Sequence, residues 1–205
     1  MKKKKSKTTN RNVVVFVSLF GALAVTSALL LALAPAPLTG NGIVSLFAVD
    51  TPKNLDGVFN QIHKDVPPSR WKYIYIHQSK SISGSALTLA DGSTFTDHFV
   101  VGNGDGCVDG EIQMTPLWTG QESIGTPPAG VSQMDPACIS ICVIGDFDQS
   151  APTTTQARRL EQLVGTLQHR LGITATRVLT VDQANSAAGI GKSFPVAGFR
   201  NQLMQ

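Results

Sequence analysis

Positive charge is scarce outside the first eleven residues of the chain. Six of the 17 Lys and Arg residues precede residue 12, and the other eleven are outnumbered by 14 Asp and Glu residues. A nucleic-acid-binding domain needs a cluster of Lys and Arg on its folded part. The formal net charge of +3 therefore belongs to the N-terminus, and we expect no nucleic-acid partner.

Cysteine is also sparse, with only Cys107, Cys138 and Cys142. An odd number leaves at least one thiol unpaired within a monomer. We predict a disulfide between Cys107 and Cys138, with Cys142 buried in a strand. Cys138 and Cys142 make a poor zinc half-site, because four residues of strand span about 13 Å.

Charged residues, Asn and Pro are all absent from residues 13–34. This run is long enough to cross a hydrocarbon core of about 30 Å at about 1.5 Å per residue. Because lysines precede it, we predict a single pass through the inner (cytoplasmic) membrane, with the N-terminus in the cytoplasm and the C-terminal part on the periplasmic or cell-wall side. A cleavable signal peptide is the alternative; Ala32-Leu33-Ala34 suits cleavage, but Pro35 hinders it, and we favour an uncleaved signal anchor.

The predicted organisation has four parts. A basic cytoplasmic tail (1–12) and the transmembrane signal anchor (13–34) are followed by a stalk or linker (35–69) that Pro and Gly punctuate. The globular domain then covers residues 70–205.

Hydrophobic patterns in the globular domain predict a mixed α/β fold. Strands are expected at 71–77, 98–101, 107–114, 138–144 and 177–181, with a Gly-rich turn joining the second and third. The clearest helix starts at a Thr153 cap and stops at Gly172. This order predicts a mixed central β-sheet with packed helices.

Four segments in this order resemble the zinc-dependent N-acetylmuramoyl-L-alanine amidases of the phage-lysozyme type, whose fold the peptidoglycan recognition proteins share. They are WKYIYIHQS, DHFVVGNGDG, ISICVIGDF and PTTTQARRLEQLVGTLQHRLGI. The resemblance covers about residues 70–195. It implies metal-assisted hydrolysis of the bond between muramic acid and L-alanine, with zinc held by two histidines and a cysteine or aspartate.

Residue by residue, most of the catalytic set implied by this resemblance is missing. His77 matches the first zinc ligand, but Thr180 and Ala188 occupy the positions of the other two. Asp97 stands where the family has an assisting tyrosine, and Ser186 stands at its lysine-like position. We therefore expect a pseudoenzyme that binds no cofactor.

The leading prediction is a membrane-anchored domain that binds peptidoglycan or muropeptides, with ligand-binding candidates His77, Ser79, Asp97, Trp118 and Thr180. The alternative is an active amidase with a rebuilt zinc site of His77, Asp97 and Asp182. One imidazole alone cannot hold zinc, since structural sites gain about 10–16 kcal/mol from a full ligand set.

Overall fold

The computed structural model describes residues 15–16, 18–23, 25–26, 42–46, 55–62, 66–67, 69–90, 94–125, 135–180 and 190–204. The chain forms two compact units, residues 1–39 and 40–205. In the first unit, the described residues between 15 and 26 are helical. Among all described residues, no helix combines the length and the apolar character needed to cross a membrane.

The second unit is a mixed α/β domain, as predicted. Its strands are β1 Val44–Leu46, β2 Tyr73–Gln78, β3 Phe99–Val101, β4 Ile112–Met114, β5 Cys138–Val143 and β6 Val178–Thr180. Its helices are α1 Ala86–Leu89, α2 Pro116–Thr119, α3 Thr154–Leu171 and α4 Val196–Leu203, with 3₁₀ helices at Asp56–Val58 and Ala175–Arg177.

The strands form one sheet in the order β1-β4-β3-β5-β2-β6. β3, β5, β2 and β6 run parallel, and the β3–β4 and β4–β1 pairs are antiparallel. β5 is central and buried along its whole length, as its apolar sequence predicts. Its carboxyl end lies beside that of β2, so residues at the ends of these strands share one edge of the sheet.

Helix α3 covers one face of the sheet. Its apolar stripe, Leu160, Leu163, Val164 and Leu167, is fully buried against alternate residues of the central strands. The Thr153 hydroxyl accepts a hydrogen bond from the Gln156 backbone, and Gly172 ends the helix at φ 68°. The predicted helix is therefore confirmed at both ends. α4 follows the last strand near the C-terminus.

The domain begins earlier than residue 70, because part of the predicted stalk is built into it. β1 pairs with β4, which adds a strand to the edge of the sheet. Leu55 and Val58 are buried, and the Leu55 backbone donates a hydrogen bond to the Thr166 hydroxyl of α3. The described residues 42–46 and 55–62 are therefore part of the folded domain rather than a linker.

The predicted disulfide is absent, since all three cysteines are free thiols. Cys138 starts β5, whereas Cys107 lies in the turn that follows β3. Because β3 and β5 are parallel neighbours, these two positions lie at opposite ends of the sheet. Cys142 is buried in β5, as predicted.

Candidate functional site

The candidate site lies on the face of the sheet opposite α3. His77 of β2 is level with Cys142 of β5, so the two side chains share this face. Asp97 precedes β3, and its carboxylate reaches across to the same place. The Nε2 of His77 lies 2.7 Å from the Oδ1 of Asp97. The structure thus brings Asp97 directly to His77.

The Asp97 carboxylate is saturated with hydrogen bonds. Oδ1 accepts from the Ser140 hydroxyl as well as from His77, and Oδ2 accepts from the Thr96 hydroxyl at 2.8 Å. Burial alone raises the pKa of Asp97, but the His77 charge and these hydrogen bonds lower it below its ordinary value. Asp97 is therefore ionised even though its side chain is only 4% exposed.

Both ring nitrogens of His77 face oxygen acceptors. Nε2 faces Asp97, and Nδ1 lies 3.2 Å from the backbone carbonyl of Gln78. Burial lowers the pKa of His77, but the Asp97 charge and both hydrogen bonds raise it above the ordinary value. An imidazole that donates from both nitrogens is an imidazolium, and it has no lone pair for a metal.

His98 next to the site is a framework residue. Its Nδ1 accepts a hydrogen bond from the Ser140 backbone at 3.0 Å, and its Nε2 donates to the Glu122 carbonyl at 2.9 Å. Burial lowers the pKa of His98 to about 4, so the ring is neutral at pH 7. It fixes β5 against the segment after α2, and it holds Ser140 in place beside Asp97.

Of the other predicted ligand-binding residues, Ser79 lies at the same sheet edge but is engaged within a loop, and Trp118 and Thr180 are buried away from His77. Ser79 pins a loop, donating to the Ser81 carbonyl and accepting from the Gly145 backbone. Trp118 is completely buried, which makes it a core residue and not a platform for a sugar. Thr180 is level with Ile76 and so faces away from His77; it is 1% exposed.

Three predicted positions, Asp182, Ser186 and Ala188, lie outside the described residues. Two residues that we had not predicted as part of the site are Ser140 and Cys142. The sequence of β5 did indicate that they share one face of the strand, because the small residues at 138, 140 and 142 alternate with Ile139, Ile141 and Val143. That Cys142 and Ser140 lie on the same face of the sheet as His77 could not be predicted, because it depends on the register between β2 and β5.

His77, Asp97 and Cys142 form the one group in the described part of the chain whose donor atoms could hold a metal ion, all within 4.8 Å of one another. The donor types suit zinc. The geometry does not, because two ligand atoms on a tetrahedral zinc are about 3.3 Å apart at ordinary bond lengths, and His77 and Asp97 are at 2.7 Å. In addition, burial and the Asp97 charge raise the pKa of the Cys142 thiol, whereas zinc needs the thiolate.

No family model and no curated protein matches this sequence. Among solved structures, the chain is similar to N-acetylmuramoyl-L-alanine amidase LysC from Clostridium intestinale URNW, with a TM-score of 0.49 and 15% identity, over 67% of this chain and 89% of that chain. A second similar structure is the endolysine amidase LysCS from the same organism, with a TM-score of 0.47 and 16% identity, over 67% and 88%. A third is PGRP-Hd from Alvinella pompejana, with a TM-score of 0.43 and 16% identity, over 66% and 85%.

Proposed function

We propose that the domain binds peptidoglycan or its muropeptides without hydrolysing them and without a metal. The four segments that resemble the amidases supply the cell-wall assignment. The observation that carries the loss of catalysis is the His77 ring, whose two nitrogens are both engaged as donors. The one ligand of the family set that is retained is thereby converted into the cationic half of an ion pair.

The ligand is expected to bind near the carboxyl ends of β2 and β5. Open sheets with parallel strands bind ligands at this edge, where loops follow the strand ends. His77 lies there with 13% of its side chain exposed, so it can contact a ligand while Asp97 beneath it remains buried. Asp97, Thr96 and Ser140 hold the ring in one orientation and therefore act as positioning residues.

A binding assay with intact sacculi tests this function. The full chain in detergent should co-sediment with sacculi and release no stem peptide. His77→Ala should reduce retention at least fivefold, whereas His169→Ala, which changes an exposed histidine of α3, should leave it unchanged. Equal retention of both variants, or no retention of the wild type, would contradict the proposal.

The second candidate is an active amidase in which zinc is bound by His77, Asp97 and Cys142. The observation in its favour is the closeness of the three donor atoms. This candidate would be established, and the metal-free one refuted, if the wild type contained about one zinc per chain and released stem peptide. Cys142→Ser should then lose both the zinc and the activity.

We also propose that residues 13–34 anchor the domain in the cytoplasmic membrane, with the domain on the exported side. In the N-terminal unit, large apolar side chains are exposed: Phe16 by 62% and Phe20 by 71%. Isolated apolar residues at a protein surface are ordinary, but a cluster of them suits a lipid environment.

Alkaline extraction of membranes tests the anchor. The wild type should remain in the membrane pellet. Leu19→Lys combined with Phe20→Lys should move the protein to the supernatant, because each central lysine costs about 2.5–3.5 kcal/mol of insertion free energy. Ile82→Lys changes an exposed apolar residue of the domain and should have no effect. Extraction of the wild type itself would contradict the proposal.

A further inference from the structure

A cavity lies at the amino end of β2, at the other end of the strand from His77. Its volume is about 230 Å³. Phe59, Trp71 and Leu171 give it apolar walls, and Arg70 and Arg170 line it as well. The cavity is smaller than the roughly 300–1,000 Å³ of sites for drug-sized ligands, so it suits a small molecule or the end of a chain.

Arg70 brings a fixed positive charge to this cavity. Its guanidinium lies 4.0 Å from the centre of the Trp71 ring. It donates to the Ser123 hydroxyl at 2.7 Å and to the Pro136 carbonyl at 3.1 Å. These acceptors are neutral, and no carboxylate pairs with Arg70 within the described ranges. Among the described residues, the charge is thus held in place by stacking and hydrogen bonds and is not neutralised by an acid.

Arg170 is arranged in a similar way on the other side. Its guanidinium lies 4.9 Å from the centre of the Phe59 ring. Its Nη1 lies 3.5 Å from the Oδ1 of Asp56, and the two side chains are 49% and 47% exposed. An exposed ion pair at this distance contributes little. Arg170 can therefore turn toward a better anion at small cost.

We propose that this cavity binds a carboxylate that carries a small apolar body. A guanidinium binds a carboxylate through two parallel hydrogen bonds, and each of these two guanidinium groups packs over an aromatic ring. The apolar walls accept the hydrocarbon part of the ligand. Such a carboxylate comes from the C-terminus of a peptide or from a free aliphatic acid. The cavity is separate from His77, so this inference stands or falls independently of the function proposed above.

Calorimetric titration of the full chain in detergent tests the cavity with three probes: N-acetylalanine, its amide and butyrate. We expect one molecule of N-acetylalanine per chain and at least tenfold weaker binding of the uncharged amide. Tighter binding of N-acetylalanine than of butyrate identifies a peptide C-terminus, and the reverse identifies a free acid. Binding of neither acid, or equal binding of the amide, overturns the proposal.

Two variants locate the binding. Arg170→Gln removes an exposed charge and leaves the buried core residues unchanged. Arg70→Lys keeps the positive charge but removes the planar guanidinium that can bind a carboxylate through two hydrogen bonds. Each variant should bind N-acetylalanine with at least fivefold lower affinity than the wild type. Arg177→Gln, in which the lost guanidinium lies 5.8 Å from the Tyr73 ring, is the matched control and should bind as the wild type does. Unchanged affinity in Arg170→Gln would place the carboxylate elsewhere and refute the assignment.

Discussion

Asp97→Asn is expected to lower the free energy of unfolding by about 3–5 kcal/mol, the usual cost of removing one member of a buried ion pair. Asn keeps the volume; its oxygen can still accept from Ser140, and its amide nitrogen can donate to the Thr96 hydroxyl, which then reverses its role, so the loss mainly reports the charge. The imidazolium of His77 would be left without its anion in a largely buried position. Urea unfolding of both proteins measures the difference.

Asp105→Asn is the matched control, because Asp105 is an exposed carboxylate in the turn after β3. It should change stability by less than about 0.5 kcal/mol. The double variant His77→Gln with Asp97→Asn should recover part of the loss, since both charges are removed together. If the double variant is as unstable as the sum of the two single variants, the pair is not coupled.

The pH dependence of this difference follows from the two shifted pKa values. His77 has a pKa raised above 6.5, so its contribution is complete below that pH and is lost as pH rises through the folded value. Asp97 has a pKa lowered below 3.8, so its contribution is present above that pH and is lost in stronger acid. The stability difference between wild type and Asp97→Asn should therefore be greatest from pH 3.8 to 6.5. A difference that keeps rising above pH 8 would contradict a charged pair.

His98 acts on the total stability in the opposite sense within that window. Its folded pKa of about 4 lies below the ordinary 6.5, so the unfolded chain takes up the proton first. Its contribution is complete above pH 6.5 and is lost as pH falls toward 4. The Asp97 charge raises the pKa of His98, so Asp97→Asn also changes this background in acid. At pH 6.5, where the His98 contribution is complete in both proteins, the comparison reports the ion pair.

The elements with strong local patterns are those that the sequence predicts well. The β2 pattern, the predominantly apolar β5 and the α3 stripe between Thr153 and Gly172 all form where expected. Each of these depends on a period of two or 3.6 residues or on capping groups, and these are local properties. Their order was enough to predict the mixed sheet.

The site itself depends on distant contacts that local patterns do not contain. Asp97 meets His77 because β2 and β3 both flank β5, and Cys142 joins them because β5 pairs with β2 in one register. A shift of one residue would turn Cys142 to the other face. β1 was missed for the same reason, since a three-residue strand is stabilised only by its partner β4.

The role of Trp118 likewise could not be predicted from local sequence, because it depends on contacts with distant residues. A tryptophan after a hairpin is equally compatible with a sugar platform and a core position, and only packing decides between them. Its ring contacts Phe99 at 4.8 Å and Phe59 at 5.6 Å between centroids, and its Nε1 donates to the Val58 carbonyl at 2.7 Å. Trp118 therefore connects the segment before β2 to the sheet.

Trp118→Ala is expected to lower the free energy of unfolding by about 3–5 kcal/mol, as for other large aromatic residues removed from a core. The loss combines the empty volume with a buried Val58 carbonyl that has lost its donor. Amides of residues 55–59 should show the largest increase in hydrogen exchange, because Trp118 fixes that segment. Urea unfolding and native-state exchange measure the two effects.

Trp118→Phe separates the core role from a binding role. Phe retains most of the aromatic packing and loses the hydrogen bond with Val58, so we expect a smaller loss of about 1–3 kcal/mol. Retention on sacculi should be unchanged, because a completely buried ring touches no ligand. If Trp118→Phe kept its stability but lost retention, the ring would belong to the ligand site after all. The segment 55–59 would then be held to the sheet by its other contacts, such as the bond from Leu55 to Thr166.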